Sequence, residues 1–218
     1  MRYLNKIVFI NSAAIRYSEV QLDGNIHLIG TQGVGKSTIL RAILFFYNAD
    51  TQRLGIPVEK KSYQDYYFPY ADSSIIYEVA REDGWFTVLS YKTMNRICYR
   101  FIASPYRPDL FIDEEGAPYP SDRIRSVLDK NGIKYSGAIS TYEEYRNILY
   151  GNSDNKRDYS CYSLMESGSY QNIIRTIQNV LLNSRLEADY IKQTIITSLN
   201  EADSVIDLSR YRSHLSGF

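Results

Sequence analysis

The most specific chemistry in the sequence lies in eight consecutive residues, Gly30-Thr31-Gln32-Gly33-Val34-Gly35-Lys36-Ser37, with Thr38 directly behind them. They fit G-x-x-x-x-G-K-[ST] at every fixed position. The glycines allow positive φ, so consecutive N–H groups can turn inward around an anion, and a helix opening behind the loop adds the positive end of its dipole. A polyphosphate is the guest such a loop takes. Lys36 would reach the β- and γ-phosphates as a point charge, and the Ser37 hydroxyl would take one place on a Mg²⁺ bridging those phosphates. The nucleotide-binding residues are thus predicted as 30–38, with Lys36 the catalytic charge and Ser37 a metal ligand.

Such a loop needs a strand before it and a helix after it. Ile26-His27-Leu28-Ile29 reads as a buried strand, and Ile39-Leu40-Arg41-Ala42-Ile43-Leu44-Phe45-Phe46 reads as a helix that fades near residues 47–50. Upstream, residues 4–10 and 15–22 predict two more strands, and Asp23-Gly24 predicts a hairpin turn. Downstream, Ser62-Tyr63-Gln64-Asp65-Tyr66-Tyr67-Phe68-Pro69-Tyr70 reads as a loop packed on a surface; an aromatic platform for nucleobases is the competing reading, but no basic residues interleave with it. Residues 74–79, 85–91 and 97–102 predict an antiparallel meander.

Helix signals follow. Ser121 or Asp122 can cap a helix running to Asn131 with Gly132 past its end, and Thr141-Tyr142-Glu143-Glu144 is a capping box. The polar run 151–158 reads as a loop, and 170–182 and 186–199 read as core-facing helices. Asp207 can cap a last one. A further apolar run ending in acids, Leu110-Phe111-Ile112-Asp113-Glu114, has the order by which a P-loop ATPase presents a magnesium-organising Asp and a water-activating Glu. It is only three apolar residues long and is bracketed by Pro108 and Pro118, so an exposed strand and turn fits it better.

Composition limits the remaining classes. A chain of 218 residues, 44% hydrophobic, can bury a substantial core. Lys plus Arg equals Asp plus Glu at 25 each, so no global basic charge drives contact with nucleic acid. Cys98 and Cys161, far apart, suit reduced thiols and offer no metal cluster. The N-terminus lacks a signal-peptide pattern and no apolar run reaches membrane-spanning length, which gives a cytoplasmic expectation with no membrane contact.

Residues 7–11, 20–22 and the run from Ile26 through the glycine loop to Ile43 look like the opening of an SMC-type or ABC-type head ATPase. Leu182-Asn183-Ser184-Arg185-Leu186-Glu187-Ala188-Asp189-Tyr190-Ile191-Lys192 is similar to the stretch ahead of the long coiled coil in bacterial SMC-like proteins of the MukB and Wadjet JetC kind. Gln32 stands where such heads usually have Asn, a change that leaves phosphate binding intact.

The resemblance implies an α/β P-loop NTPase of ABC/SMC head type, with a mixed sheet around the P-loop helix, an antiparallel β lobe and C-terminal helices. Its divisions would be a nucleotide-binding core at 1–72, the β lobe at 73–120 and a helical segment leading towards a coiled coil at 121–218. It implies ATP and Mg²⁺ as ligands. It also implies that the signature motif, the acidic strand and the switch His belong to a C-terminal half, and that a second head completes a homodimer. Kleisin-like or other accessory subunits would join, and DNA would be met through the assembled complex, for translocation or loop extrusion in chromosome maintenance or in plasmid or phage defence. The isolated 218 residues would turn ATP over very slowly. The family's metal-touching Gln maps to Gln171, with Gln178 as the alternative. His214-Leu215-Ser216-Gly217-Phe218 copies only the first letters of an LSGG signature, with no helix after it. Two other readings stay open: a RecF-like or OLD-like repair or defence ATPase, and a nucleotide-gated dimerisation module without its own turnover.

Overall fold

Five runs rich in β-branched and aromatic residues pair into one antiparallel sheet. In the computed structural model, which describes residues 2–24, 26–48, 62–94, 96–151 and 159–164, these are β1 (Tyr3–Ser12), β2 (Ile15–Gln21), β3 (Ser74–Arg81), β4 (Gly84–Thr93) and β5 (Arg96–Ile102). The strand order is β2-β1-β3-β4-β5, and all four pairings are antiparallel. The chain divides into two compact units, 1–182 and 183–218, and every described residue belongs to the first.

Register explains why β1, β3 and β4 are apolar on both faces. Ile7, Tyr77, Val88 and Phe101 stand in one row, and the next row is Val8, Ile76, Leu89 and Arg100. The first row faces α1 (Lys36–Asn48), α2 (Tyr63–Tyr67) and α4 (Tyr142–Leu149), in a core containing Phe45, Phe46, Tyr63, Tyr67, Tyr145 and Ile148. The second faces Tyr106, Leu110, Phe111 and α3 (Ser121–Lys130), through Ile124 and Leu128. Burying a sheet on both sides removes the polar alternation of a half-solvated strand.

Two buried polar groups are tied into this packing. Glu78 accepts from Asn5 Nδ2 at 2.7 Å and from the Tyr106 N–H at 2.6 Å. Arg100 donates to Ser136 O at 3.1 Å and stacks over Tyr135, its guanidinium carbon 5.0 Å from the ring centroid.

The local signals in 74–149 hold. The three-strand meander forms as β3, β4 and β5, Thr141 caps α4 by accepting from the Glu144 N–H at 3.3 Å, and Gly132 sits past α3 with φ 64°. At α3 the cap position is Pro120, which offers no side-chain cap, and Ser121 is already helical. A proline there supplies the right φ at the helix entry without needing an N–H.

Three expectations fare differently. Residues 26–29 form no strand among the described residues: Ile26 and Ile29 are exposed, Ile29 at 91%. A strand exists only where another backbone pairs with it, and an apolar run shows the need for a neighbour without supplying one. The parallel pairing of a mixed sheet is likewise not found among the described residues, since every pairing is antiparallel. The boundary drawn at 72/73 does not separate two sheets, because β1 and β2 from one side of it join β3, β4 and β5 from the other. Sequence distance hid the β1–β3 pairing, which closes a loop of more than sixty residues, from Ser12 to Ser74.

Gln171, Gln178, the segments 170–182 and 186–199, and the LSGG-like end 214–218 lie outside the described residues. Among those described, no helix is long and apolar enough to cross a membrane.

Candidate phosphate site

Residues 26–35 run over the surface and turn directly into α1. Gly33 and Gly35 adopt φ 90° and 94°, the left-handed region that side chains resist. That is the backbone reversal the glycine pattern predicts. The first α1 bond of this turn runs from the Ile39 N–H to Gly35 O at 3.1 Å, so Lys36, Ser37 and Thr38 present N–H groups that have no acceptor within the helix. Thirteen residues of aligned peptide dipoles lie behind them.

Lys36 folds back over the loop. Its Nζ donates to Gly30 O at 2.5 Å and to Thr31 O at 2.8 Å. The ammonium is therefore held over the loop that the glycines shape. Ser37 is exposed on the first turn, and Thr38 is buried beside it. The sequence-predicted residues 30–38 thus come together as one loop and helix start. The acidic run 110–114 belongs to a different feature: Leu110 ends a short 3₁₀ turn, and Asp113 Oδ1 accepts from the N–H groups of Glu115 and Ala117 at 3.1 and 2.7 Å. Asp113 closes the expected turn, but the apolar part of the run is neither a strand nor exposed: Leu110 and Phe111 are buried in the core beneath the second face of the sheet.

What positions α1 is a stripe of tyrosines. Tyr67 of α2 donates to Thr38 O at 2.8 Å, Tyr77 of β3 to Ala42 O at 3.1 Å, and Tyr145 of α4 to Phe46 O at 2.6 Å. Tyr150, just past α4, donates to Tyr47 O. Residues 38, 42 and 46 are four apart, so their carbonyls lie along one side of the helix. A carbonyl oxygen has two lone pairs, so Thr38 O and Ala42 O can each take a phenol O–H beside their helical bond, while Phe46 O, in the last turn, gains from Tyr145 a donor that the helix does not supply. Burial pushes the Tyr77 and Tyr145 phenols well above their ordinary value, and burial followed by the neighbouring Tyr66 raises Tyr67. These phenols stay protonated and act as donors.

The Tyr-rich segment 62–70 is therefore not a surface loop. Tyr63 and Tyr67 are core residues stacked at 4.3 Å, while Tyr66 and Tyr70 remain exposed. Two signals in the sequence mark the helix: Ser62-Tyr63-Gln64-Asp65 is a capping pattern, realised as the Asp65 N–H donating to Ser62 Oγ at 3.1 Å, and tyrosines at 63, 66, 67 and 70 have helical spacing. Pro69 and the absence of aliphatic residues masked both.

Also unforeseen is a cavity of about 420 Å³ at the turn between β1 and β2, lined by Asn11, Ala13, Arg16, Tyr70 and Asp72 among others. Asn11 Nδ2 donates to Asp72 at 2.9 Å, and Asn11 and Ala13 both hold positive φ, 44° and 54°. Tyr67 joins this turn to the phosphate loop. Its carbonyl accepts from Ser12 Oγ at 2.8 Å, while its hydroxyl reaches Thr38 O. No glycine marks the turn, which is why the sequence concealed it.

The family profile described as Protein of unknown function (DUF3584) matches residues 12–214. The chain belongs to that family. The match takes in the glycine loop, α1 and the whole tyrosine stripe of this DUF3584 chain. No curated protein and no solved structure matches it.

Proposed function

We propose that this chain is the nucleotide-binding part of an ATPase head of the SMC/ABC type, taking ATP with Mg²⁺ at residues 30–38. The observation that carries the reading is the left-handed Gly33–Gly35 reversal running into the free N–H groups of α1, with Lys36 Nζ arched over the loop. In this reading Lys36 leaves its two carbonyl partners for the β- and γ-phosphates, a charge-assisted contact that outweighs two neutral acceptors. The N–H groups of Lys36 to Thr38 hold phosphate oxygens without reorganising.

The donors present suit magnesium. Ser37 offers one exposed hydroxyl oxygen next to Lys36, and among the described residues no group of three or more His, Cys, Asp and Glu forms a protein cage. Mg²⁺ keeps several waters and takes few protein ligands, and when bound it would bridge phosphate oxygens and neutralise charge. In this reading the nucleoside end is assigned to the cavity lined by Arg16 and Tyr70, which Tyr67 links to the first turn of α1 through its bonds with Ser12 and Thr38; a guanidinium and a phenol ring can stack on a base.

The exposed apolar residues Ile26 and Ile29 support the finer reading, a head completed by another polypeptide segment that pairs with 26–29. In that form a C-terminal half and a second head of the same kind would supply the water-orienting acid and the signature helix, and the assembled ATPase would act on DNA in chromosome maintenance or in plasmid or phage defence. Within the chain Lys36 and the loop clamp the γ-phosphate, and Asp113 is spent on its own turn, so turnover by these 218 residues alone is slow.

Equilibrium dialysis of labelled ATP against the chain, with Mg²⁺ and with excess chelator, tests the proposal. Saturable one-to-one binding that tightens with Mg²⁺ and is competed by ADP is expected. Absence of saturable binding contradicts it.

A further inference from the structure

Thr38 is bonded twice to α2, at two different atoms. Tyr67 donates to its carbonyl, and the Tyr66 hydroxyl lies 3.0 Å from its Oγ1, a pair in which either oxygen can donate. The Tyr66 ring is held edge-on to Tyr67, centroids 4.9 Å apart at 78°. α2 is itself fixed, through Ser12 Oγ on Tyr67 O and through Lys92 on Asp65 at 3.1 Å.

We propose that Tyr66 is a positioning residue of the phosphate site, whose hydroxyl donates to Thr38 Oγ1 and thereby commits the Thr38 proton to a phosphate oxygen. This inference rests on the proposed nucleotide reading and names a residue outside the glycine motif that serves it. The argument is hydroxyl arithmetic: each side-chain hydroxyl has one proton and two lone pairs. If Thr38 donates to Tyr66, it turns lone pairs towards any anion in the loop. If Tyr66 donates, Thr38 keeps its proton for the anion and gains a charge-assisted bond. A polyphosphate selects the second arrangement, in which the Thr38 proton meets a negative charge. Tyr67, donating to the carbonyl of the same residue, keeps the first turn of α1 from rotating Oγ1 away.

The experiment is calorimetric titration of Mg·ATP into the wild-type chain, Tyr66→Phe, Thr38→Val, the double variant and Lys36→Ala. Tyr66→Phe keeps the ring and removes one oxygen from an exposed side chain, so its melting temperature without nucleotide falls by less than that of a buried-donor variant such as Tyr77→Phe. Its affinity falls about 3- to 10-fold, the size of one net hydrogen bond. The double variant binds no more weakly than Thr38→Val alone, because the Tyr66 hydroxyl acts only through Thr38. A merely structural tyrosine would weaken binding equally in both backgrounds. Wild-type affinity in Tyr66→Phe, or losses that multiply in the double variant, overturn the inference. Lys36→Ala separates the two levels: if it binds like the wild type, the phosphate-site reading fails and takes this inference with it, whereas if only Lys36→Ala loses affinity, this inference alone is wrong.

Discussion

Ser37 and Thr38 are adjacent hydroxyls on the first turn of α1 with different surroundings, and that difference separates their roles. Ser37 is exposed and its hydroxyl makes no side-chain hydrogen bond among the described residues, so its oxygen is available to a metal; Thr38 is buried against α2. Ser37→Ala should therefore weaken ATP binding about 10-fold with Mg²⁺ and hardly at all in chelator, since only the metal-bound complex uses the hydroxyl. Equal losses in dialysis under the two conditions would remove the metal-ligand role. The glycines have a separate test. Gly35→Ala places a Cβ on a residue at φ 94°, a strain of about 1–2 kcal/mol that has to be relieved by reshaping the loop. ATP affinity should drop and the melting temperature should fall by about 2–8 °C at most, because the open space where the Cβ would point adds no clash to the φ strain. At this scale the sequence was most legible: spacing alone named the loop, because one short segment contains all of its own geometry. Tyr66 and Tyr67 were not legible as partners of Thr38, because their contacts cross almost thirty residues of chain.

Among the elements, α1 depends least on its own sequence. It has no basic residue in its last turn and no acid in its first, so its ends gain nothing from the dipole, and the tyrosine stripe with the Phe45 and Phe46 packing holds it instead. Tyr77→Phe removes one buried donor while Ala42 O keeps its helical bond. A cost of about 1 kcal/mol, lowering the melting temperature by about 2–4 °C, is expected. The stripe also sets an alkaline limit. An unfolded phenol titrates near 10.0, whereas burial first, then neighbouring tyrosines, holds Tyr63, Tyr77 and Tyr145 well above that value in the folded chain. Above pH 10 the unfolded chain releases protons that the folded chain retains, so this contribution is complete below about 10 and is lost as pH rises. In parallel titrations of circular dichroism and of phenolate absorbance, the share of the absorbance change that belongs to the buried tyrosines should appear together with loss of the fold, in one cooperative step above pH 10. Phenolate formation by all the tyrosines with the fold intact would contradict the buried stripe. Strands and capped helices could be read locally, as β3, β4, β5 and α4 show. Residues 26–29 could not, since a strand needs a second segment and none pairs with them among the described residues.

At the scale of the described residues as a whole, one antiparallel sheet, with β1, β3 and β4 buried on both faces, carries α1 and its glycine loop on one side and the α3 layer on the other. The pairing of β1 with β3 makes the glycine loop, α1 and α2 a long excursion out of a single sheet, anchored where Tyr67 meets Ser12 and Thr38. Held in this way, the first turn of α1 can present its N–H groups to a polyphosphate with little ordering on binding. The most direct measurement is calorimetric titration of Mg·ATP into the wild-type chain and into Lys36→Ala. The account predicts one site in the wild type and an affinity lower by about 10- to 100-fold in the variant, the loss of a charge-assisted contact worth about 1.5–3 kcal/mol, with the melting temperature of the nucleotide-free chain unchanged. Equal affinity in the two proteins, or no heat of binding in either, would contradict it.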